Sequence, residues 1–366
     1  MSSEKLDLIE TEGDPFQIGT QHGEALRKEI NDFLRFLYIE FAYGDLQLEN
    51  ARKFAQKFAR PLENFSKEAT LEMRGIARGA HVDYEDIILI ALSEEIPSFS
   101  HACTAFAATG QATRDSHTFL GQTWDNSVIW CENVEARLIR KKYKGGPTVL
   151  AYIFPGMIAA AGLNSQGIGI SWNTVPKLRL NEGVPTYVII NKLLKQKTIA
   201  EAISVVRDAN RAGCFNFIVA NDKEIYNIEA TPDDVEIDYT NSYYGHTNHY
   251  VGDKFSGLQN LSQEQTYSSA AVSTLIRQER LLKMMEDKYS YIELEDAMDF
   301  LRDHVNYPDS ICSHPNFARK KENRNMTRSG WVMIPYELEW WITPGLPCQK
   351  RYYCYSVESK GLDEFN

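Results

Sequence analysis

Cys103 is the residue in this sequence whose surroundings best fit a chemical role. It lies in the segment SHACTAF (100–106), among small residues, where a helix-rich region ends and a strand is predicted to begin. A cysteine thiolate is a strong nucleophile, and Asp125 provides a carboxylate just after the next predicted strand. The two residues indicate a nucleophilic site, although free cysteines are also common as inert core residues.

Two neighbouring histidines, His246 and His249, are further candidates. The glycine, threonine and asparagine around them predict a strand end or loop, and no acidic or cysteine cluster completes a metal-ligand set. No two cysteines have the CxxC spacing of common zinc and redox sites, and no glycine-rich phosphate loop occurs. We therefore expect no metal site. A conventional cysteine–histidine hydrolase, in which Cys103 works with His101, His246 or His249, stays open as an alternative.

The charge and hydropathy of the chain exclude several classes of protein. The 366 residues carry a formal net charge of −11, with the basic residues spread along the chain. Nucleic acids and anionic membrane surfaces bind clustered Lys and Arg, so we expect neither as a partner. The first ten residues lack the apolar core of a secretory signal, and the longest mainly apolar run, residues 149–163, is too short for a membrane helix of roughly 20 residues. The six scattered cysteines then favour a cytoplasmic protein with reduced thiols.

The first hundred residues are predicted to be mainly helical. Apolar residues recur at helical spacing over residues 31–41 and 51–58, and Pro61 predicts a break or kink after the second stretch. A further helix is predicted over residues 66–78, ending at Gly79. These helices precede Cys103 in the sequence.

After Cys103 the pattern changes to short strands separated by turn residues. Thr198 followed by Glu201 is a capping-box signature, which predicts that a helix begins there. Residues 251–270 form the most polar stretch and predict a surface excursion. The predicted strands cover 119–124, 149–154, 167–172, 215–220, 224–229, 235–239 and parts of 330–357, and another helix is predicted over 296–304. This order indicates an α+β fold in which helices cover two β-sheets within one compact domain.

Seven short stretches of the sequence are similar, in the same order, to stretches of one known family. The chain resembles the isopenicillin-N acyltransferase family (acyl-coenzyme A:6-aminopenicillanic-acid acyltransferases, peptidase C45-like), whose members are N-terminal-nucleophile hydrolases. The stretches are PFQIG (15–19) with HG (22–23), EMRGIARGA (72–80), CT (103–104), GQTWD (121–125), GLNSQG (162–167), HTNH (246–249) and NYPDSIC (306–312).

The resemblance implies a four-layer αββα sandwich and a precursor that cuts itself between Ala102 and Cys103. The fragments 1–102, a helical pro-segment, and 103–366, the catalytic portion, would stay associated. The family's nucleophile matches Cys103, its catalytic Asp matches Asp125, and its oxyanion-binding Asn matches Asn248. Cleavage would turn the amide nitrogen of Cys103 into an α-amine with a reference pKa of about 7.7–8.0, suited to act as a general base for the thiol.

Two positions depart from the family pattern. Ala102 stands where the family usually has Gly; a positive φ there would cost roughly 1–2 kcal/mol and slow self-cleavage, whereas an extended backbone would remove that cost. Ser313 stands where penicillin-making members carry Arg, which suggests a different acyl or amine partner. Arg319 or Arg324 could supply the missing cation. Trp124 and Ser313 are candidates for lining the substrate pocket.

The resemblance implies a self-processing enzyme that cleaves or transfers the acyl group of a small N-acyl compound through a thioester on Cys103. Hydrolysis is favoured over transfer because no coenzyme A signature is visible and Ser313 weakens the match to penicillin-making members. No cofactor is expected, and a coenzyme A thioester would enter only as a co-substrate. The alternatives are an acyl-CoA-dependent acyltransferase and an uncleaved binding protein on the same scaffold. The sequence does not specify the oligomeric state.

Overall fold

A computed structural model describes residues 4–43, 48–96, 102–176, 179–258 and 269–358. These residues form ten α-helices and fourteen β-strands. The helices are α1 (Pro15–Ala25), α2 (Arg27–Tyr43), α3 (Leu48–Phe65), α4 (Lys67–Ala80), α5 (Tyr84–Ala91), α6 (Val128–Asn133), α7 (Thr186–Leu194), α8 (Ile199–Arg207), α9 (Ser269–Asp287) and α10 (Leu294–Phe300). The strands are β1 (Leu8–Gly13), β2 (Ala102–Ala108), β3 (Phe119–Ser127), β4 (Arg137–Tyr143), β5 (Thr148–Ile153), β6 (Ala161–Asn164), β7 (Gly169–Thr174), β8 (Phe215–Ala220), β9 (Ile225–Ala230), β10 (Val235–Thr240), β11 (Tyr243–His246), β12 (Asn325–Ile334), β13 (Glu339–Ile342) and β14 (Tyr353–Ser356).

Two β-sheets form the centre of the molecule. One has eight strands in the order β1-β4-β5-β6-β7-β8-β9-β10, and the other has six in the order β11-β2-β3-β12-β13-β14. Strands β2 and β3 face β7 across the space between the sheets. Helices α7 and α8 cover the outer face of the larger sheet, and α9 and α10 cover that of the smaller one. The expected four-layer αββα sandwich is therefore confirmed.

The register of β2, β3 and β12 places Cys103 and Asp125 in adjacent residue pairs at the start of β2. Cys103 lies opposite Trp124, Ala102 lies opposite Asp125, and Asp125 in turn lies opposite Thr327. Because side chains alternate along a strand, Cys103 and Trp124 share the face that meets the other sheet, whereas Asp125 and Thr327 share the face beneath α9 and α10. The sheet thus separates the thiol and the carboxylate onto opposite faces at the start of β2.

Helices α1 and α4 pack against each other through glycines. A Cβ atom placed at Gly19 would lie 1.9 Å from the backbone oxygen of Glu72, and one at Gly75 would lie 2.3 Å from that of Phe16. Two of the family-like stretches, 15–23 and 72–80, therefore form a close helix pair. Gly79 also belongs to this contact, and the predicted helix is found as α4, which ends at Ala80, one residue beyond the predicted end.

A buried ion pair joins this helix layer to the larger sheet. The carboxylate of Glu72 pairs with the ammonium of Lys141 on β4 and accepts a hydrogen bond from the hydroxyl of Tyr143 at 2.7 Å. Glu72 and Lys141 are both fully buried, and burial lowers the pKa of Lys141. Because an unpaired charge is costly inside a protein, each partner depends on the other.

Several helices differ from the sequence-based prediction. Helix α3 continues through Pro61, because Phe58 and Leu62 are buried on its apolar face and this packing outweighs the lost backbone hydrogen bond. Helix α10 spans Leu294–Phe300 instead of 296–304, and α9 was not predicted at all. Residues 259–268 of the expected surface excursion lie outside the described residues. Among the described residues, none of the helices combines the length and the hydropathy that a membrane-spanning segment needs.

Candidate active site

Cys103 is the second residue of β2, and polar groups hold its backbone on both sides. Its N–H donates to Oδ1 of Asn248 at 3.0 Å, and its carbonyl oxygen accepts from Nη1 of Arg277 at 2.6 Å. The side chain is only 2% exposed. The backbone of the predicted nucleophile is therefore fixed, while its thiol is closed off from solvent in the unbroken chain.

Arg277 on α9 is the main cation of the site, and it is not among the residues predicted from the sequence. It is 3% exposed, and besides the Cys103 carbonyl it donates to Oγ1 of Thr104 at 2.9 Å, Oδ1 of Asn248 at 2.9 Å and Oγ of Ser273 at 3.1 Å. A planar guanidinium suits such divergent contacts better than an ammonium would. The sequence did contain a signal for it, since Arg277 precedes two buried apolar residues of α9, at 281 and 285, by one and two helical turns.

Asp125 is fully buried on the face beneath α9 and α10. Its Oδ1 accepts a hydrogen bond from Oγ1 of Thr327 at 2.6 Å, whereas its Oδ2 has no hydrogen-bond partner among the described residues. Burial raises the pKa of this carboxyl to about 7, although the charge of Arg277 and the bond from Thr327 oppose that rise. Asp125 is therefore poised to gain or lose a proton near neutral pH.

The thiol of Cys103 is held in its protonated form. Burial raises its pKa, and the nearby negative charge of Asp125 adds to this rise, while a hydrogen bond from the Asp125 backbone opposes it. A base must therefore accept the thiol proton before this sulfur can attack a carbonyl carbon.

A bulge in β12 helps to fix Asp125. The pairing of β12 with β3 shifts register between Thr327 and Ser329, so the intervening residue has no partner on β3. Thr327 remains opposite Asp125, and its hydroxyl also accepts a hydrogen bond from the N–H of Ser313 at 2.8 Å. A chain of two hydrogen bonds thus runs from Ser313 through Thr327 to Asp125.

Asn248 lies in the loop after β11, directly beside Cys103. Its Oδ1 accepts from both Cys103 and Arg277, and its Nδ2 donates to the backbone oxygen of Thr174 at 2.9 Å and to the Thr174 hydroxyl at 3.2 Å. Its backbone N–H donates to Oγ1 of Thr274 at 2.8 Å. The expected oxyanion donor, Nδ2, is therefore engaged by Thr174 in the unbroken chain.

The two histidines near Asn248 make other contacts. The ring nitrogens of His246 lie 2.8 Å from a carboxylate oxygen of Glu229 and 2.7 Å from the backbone oxygen of Thr247. His249 bonds to the hydroxyl of Thr274 at 3.0 Å, and burial lowers its pKa to about 4. Neither histidine bonds to Cys103, which removes support from a cysteine–histidine pair at these two positions. His101, the third candidate, lies outside the described residues.

The pocket candidates lie close to the site but differ in their surroundings. Trp124 is 1% exposed and packs among aromatic rings between the sheets, including Trp172 at 5.1 Å and Trp331 at 6.0 Å between centroids. Ser313 is buried next to Thr327. Arg319, considered as a substitute cation, forms a two-point ion pair with Asp309 at 2.8 and 2.6 Å.

Arg324, the other arginine considered as a substitute cation, donates hydrogen bonds to the backbone oxygens of Arg319 and Phe317.

Ala102 belongs to β2, and its φ is not positive. The backbone before Cys103 is therefore extended, and alanine at this position costs nothing relative to glycine.

Comparison with known proteins assigns the chain to a family. The sequence profile of the acyl-coenzyme A:6-aminopenicillanic acid acyl-transferase family matches residues 112–324, which is more than half of the chain. The acyl-coenzyme A:6-aminopenicillanic-acid-acyltransferase 40 kDa form of Emericella nidulans is 25% identical over 316 residues, covering 83% of this chain and 84% of that protein. An uncharacterized protein of Archaeoglobus fulgidus is 22% identical, covering 87% of this chain and 60% of the longer relative.

The fold also matches a solved structure. A variant of the conjugated bile acid hydrolase from Clostridium perfringens aligns with 72% of this chain and 97% of its own, with a TM-score of 0.51 and 13% sequence identity. The two proteins therefore share the N-terminal-nucleophile hydrolase fold. On the extent of the sequence match and on this fold, the chain belongs to the acyl-coenzyme A:6-aminopenicillanic acid acyl-transferase family.

Proposed function

We propose that this enzyme cuts its own chain between Ala102 and Cys103 and then uses Cys103 as an N-terminal nucleophile on small N-acyl compounds. The observation that carries the proposal is that hydrogen bonds hold the Cys103 backbone at both its nitrogen and its carbonyl oxygen. Asn248 holds its nitrogen and Arg277 holds its carbonyl, and both contacts come from residues after the scissile bond. The new terminus would therefore keep its position once the bond between residues 1–102 and residues 103–366 is cut.

The cutting step uses the thiol, the preceding carbonyl, one water that carries a proton and a second water for hydrolysis. The first water accepts the thiol proton as Sγ attacks the carbonyl carbon of Ala102, and it passes that proton to the nitrogen of Cys103 as the C–N bond breaks and the acyl group moves to sulfur. Water then hydrolyses the thioester, leaving a carboxylate on Ala102, a free thiol and a free α-amine. The extended backbone at Ala102 supports this step, because it carries no left-handed strain that would deplete the competent conformation.

In turnover the new α-amine is the base for its own side chain. It accepts the thiol proton, the thiolate attacks the acyl carbonyl, and the leaving amine takes the proton as the thioester forms. Water or an acceptor amine then takes the acyl group. Asp125 orients the amine and favours its protonated form, and in return the ammonium is expected to lower the pKa of Asp125 from its value in the unbroken chain.

We assign stabilisation of the developing oxyanion to Nδ2 of Asn248. This donor bonds to Thr174 in the unbroken chain, and in the proposed mechanism the substrate oxygen replaces Thr174 as its partner. One such donor typically contributes about 3–4 kcal/mol to transition-state stabilisation. Arg277 holds the other end of the same amide through Oδ1, which limits how far the group can rotate.

The substrate side of the proposal is an amide of a small acyl group, with hydrolysis as the main reaction. Ser313 is buried beside Thr327, and the candidate substitute cations Arg319 and Arg324 are engaged with neighbouring groups. Neither Arg319 nor Arg324 is therefore free to take the place of the arginine that penicillin-making members carry at the position of Ser313. Acyl transfer is the second candidate, favoured by the Emericella nidulans acyltransferase; a coenzyme A thioester would then be a co-substrate, and no cofactor is proposed. All six cysteines are free, which supports a reducing, cytoplasmic location.

A panel of N-acyl amines, supplied with and without an added acceptor amine, tests the activity. The purified wild type should release free acid, and Cys103→Ala should not. Cys214→Ala is the matched control, since Cys214 is also a free, buried cysteine. Transfer products that dominate at low acceptor concentration would replace hydrolysis with acyl transfer. Undiminished release by Cys103→Ala would refute the nucleophile.

A further inference from the structure

Two cysteines and two histidines meet near the surface, outside the residues used above. His304 follows α10, Cys312 and His314 lie in the next loop, and Cys348 lies between β13 and β14. One ligand atom from each side chain can be chosen so that all four lie within 4.8 Å of one another. The expectation of no metal site rested on the absence of CxxC spacing and of ligand partners for His246 and His249, and neither feature indicates this cluster.

Four of the six distances between these atoms match the edges of a small tetrahedron. Nε2 of His314 lies 3.1 Å from Nε2 of His304, 3.4 Å from Sγ of Cys348 and 3.8 Å from Sγ of Cys312, and the two sulfurs are 3.5 Å apart. With zinc bonds of about 2.3 Å to sulfur and 2.0–2.1 Å to nitrogen, tetrahedral edges would be about 3.3 Å (N–N), 3.5 Å (N–S) and 3.8 Å (S–S). Each of these four observed distances is within about 0.3 Å of the matching edge.

Backbone hydrogen bonds hold the ligand loop in this shape. The N–H of Cys312 donates to the carbonyl of Asp303 at 3.0 Å, and the N–H of His314 donates to the carbonyl of Pro308 at 2.8 Å. The carboxylate of Asp303 is in turn paired with Arg280 of α9 at 2.8 Å. Hydrogen bonds that do not involve the four ligand side chains therefore already hold the backbone of this loop in place.

We propose that His304, Cys312, His314 and Cys348 bind one Zn²⁺ ion. Two sulfur and two nitrogen donors in a tetrahedron are typical of zinc. Two thiolates, two neutral imidazoles and Zn²⁺ have zero net charge, which suits a partly buried position, and binding would release the two thiol protons to solvent. A two-iron cluster does not fit, because it needs ligands on two separate irons, whereas these four ligand atoms all lie within 4.8 Å of one another.

All four coordination positions would be filled by the protein, so the site is structural. It would join the loop after α10 to the loop after β13. Cys312 directly precedes Ser313, which bonds through Thr327 to Asp125 at 2.8 and then 2.6 Å. The metal would therefore fix the loop that positions Asp125. This last consequence rests on the proposed function, whereas zinc binding itself does not.

Metal analysis of the full chain, purified under reducing conditions, tests the site. We expect about one zinc per chain in the wild type and in Cys214→Ala, whose cysteine lies outside the cluster. Cys348→Ala should lose the zinc, and so should His304→Ala, an exposed position where the substitution spares the core. The loss of affinity should exceed the roughly 10–100-fold that removal of an outer-shell partner causes.

Cobalt provides an independent measurement on the same proteins. Co²⁺ added to the reduced, metal-free wild type should give the intense visible absorption of tetrahedral coordination and a thiolate charge-transfer band, both absent from Cys348→Ala. Reduced wild type that binds neither Zn²⁺ nor Co²⁺ would overturn the proposal, and so would a Cys312–Cys348 disulfide whose reduction restores no metal binding. If the protein binds zinc but removal of the zinc does not change turnover, the metal site stands and only its proposed effect on the position of Asp125 is refuted.

Discussion

Replacing the buried carboxylate of Asp125 by an amide should change how the stability of the uncut protein depends on pH. Burial raises the pKa of Asp125 from 3.8 to about 7 in the folded chain. Folding therefore favours the protonated carboxyl. This stabilising contribution is complete below the unfolded pKa and is lost as the pH rises through the folded pKa. A separation of about three pKa units, at 1.36 kcal/mol each, corresponds to about 4 kcal/mol.

The measurement compares Cys103→Ala with Cys103→Ala/Asp125→Asn by urea unfolding at several pH values. The alanine background keeps the chain uncut, so that no ammonium forms beside Asp125. The free energy of unfolding of the aspartate form, minus that of the asparagine form, should fall by about 1.4 kcal/mol per pH unit between about pH 4.5 and 6.5, fall more gently near pH 7 and level off above that.

The exposed Asp208→Asn serves as the control, because Arg207 lowers the pKa of Asp208. The difference in free energy of unfolding between the protein with Asp208 and the Asp208→Asn variant should stay constant over the same pH range. A flat difference for Asp125, or one that rises with pH, would show that its carboxyl is ionised well below pH 7 and would refute the reasoning.

Three further predictions concern packing and charge. Gly75→Ala should destabilise the protein by about 1–3 kcal/mol in urea unfolding, because the new Cβ would lie 2.3 Å from a backbone oxygen of α1. The control Gly257→Ala, whose Cβ would have nothing within 4 Å, should change the free energy of unfolding by less than about 0.5 kcal/mol. Equal effects of the two substitutions would contradict the close packing of α1 against α4. Glu72→Gln should cost about 3–5 kcal/mol because it leaves Lys141 buried without its partner, and a loss below about 1 kcal/mol would mean that the pair is dispensable. Arg277→Lys should slow the appearance of cleaved fragments on a gel by about tenfold or more, since one lost charge-assisted hydrogen bond costs about 1.5–3 kcal/mol; unchanged cleavage would remove Arg277 from the account.

Features set by neighbouring residues could be predicted from the sequence. The capping box is one example: Thr198 accepts from the N–H of Glu201 at 3.2 Å, and α8 follows it directly. Strand β8 spans the predicted residues 215–220. Both depend on hydrogen-bonding groups and apolar periodicity within a few residues, so they can be predicted without knowing which distant residues pack against them.

Features that depend on distant residues could not be predicted in this way. Arg277 contacts a carbonyl 174 residues away in sequence, and Cys348 meets a sulfur 36 residues away. No local spacing indicates which helix or loop will cover a given strand. The grouping of Cys103, Asp125 and Asn248 was expected only because the motifs around them resembled a family. No family resemblance indicated that His304, Cys312, His314 and Cys348 would form a cluster.

Sequencing the N-termini of the purified wild-type protein tests the central claim most directly. Self-cleavage before Cys103 predicts two termini, that of the original chain and a second one that reads CTAF, with both fragments in one complex. Cys103→Ala should show the first terminus alone. Full catalytic activity in a wild-type preparation with only the original terminus would contradict the account, since the nitrogen of Cys103 would then still be an amide.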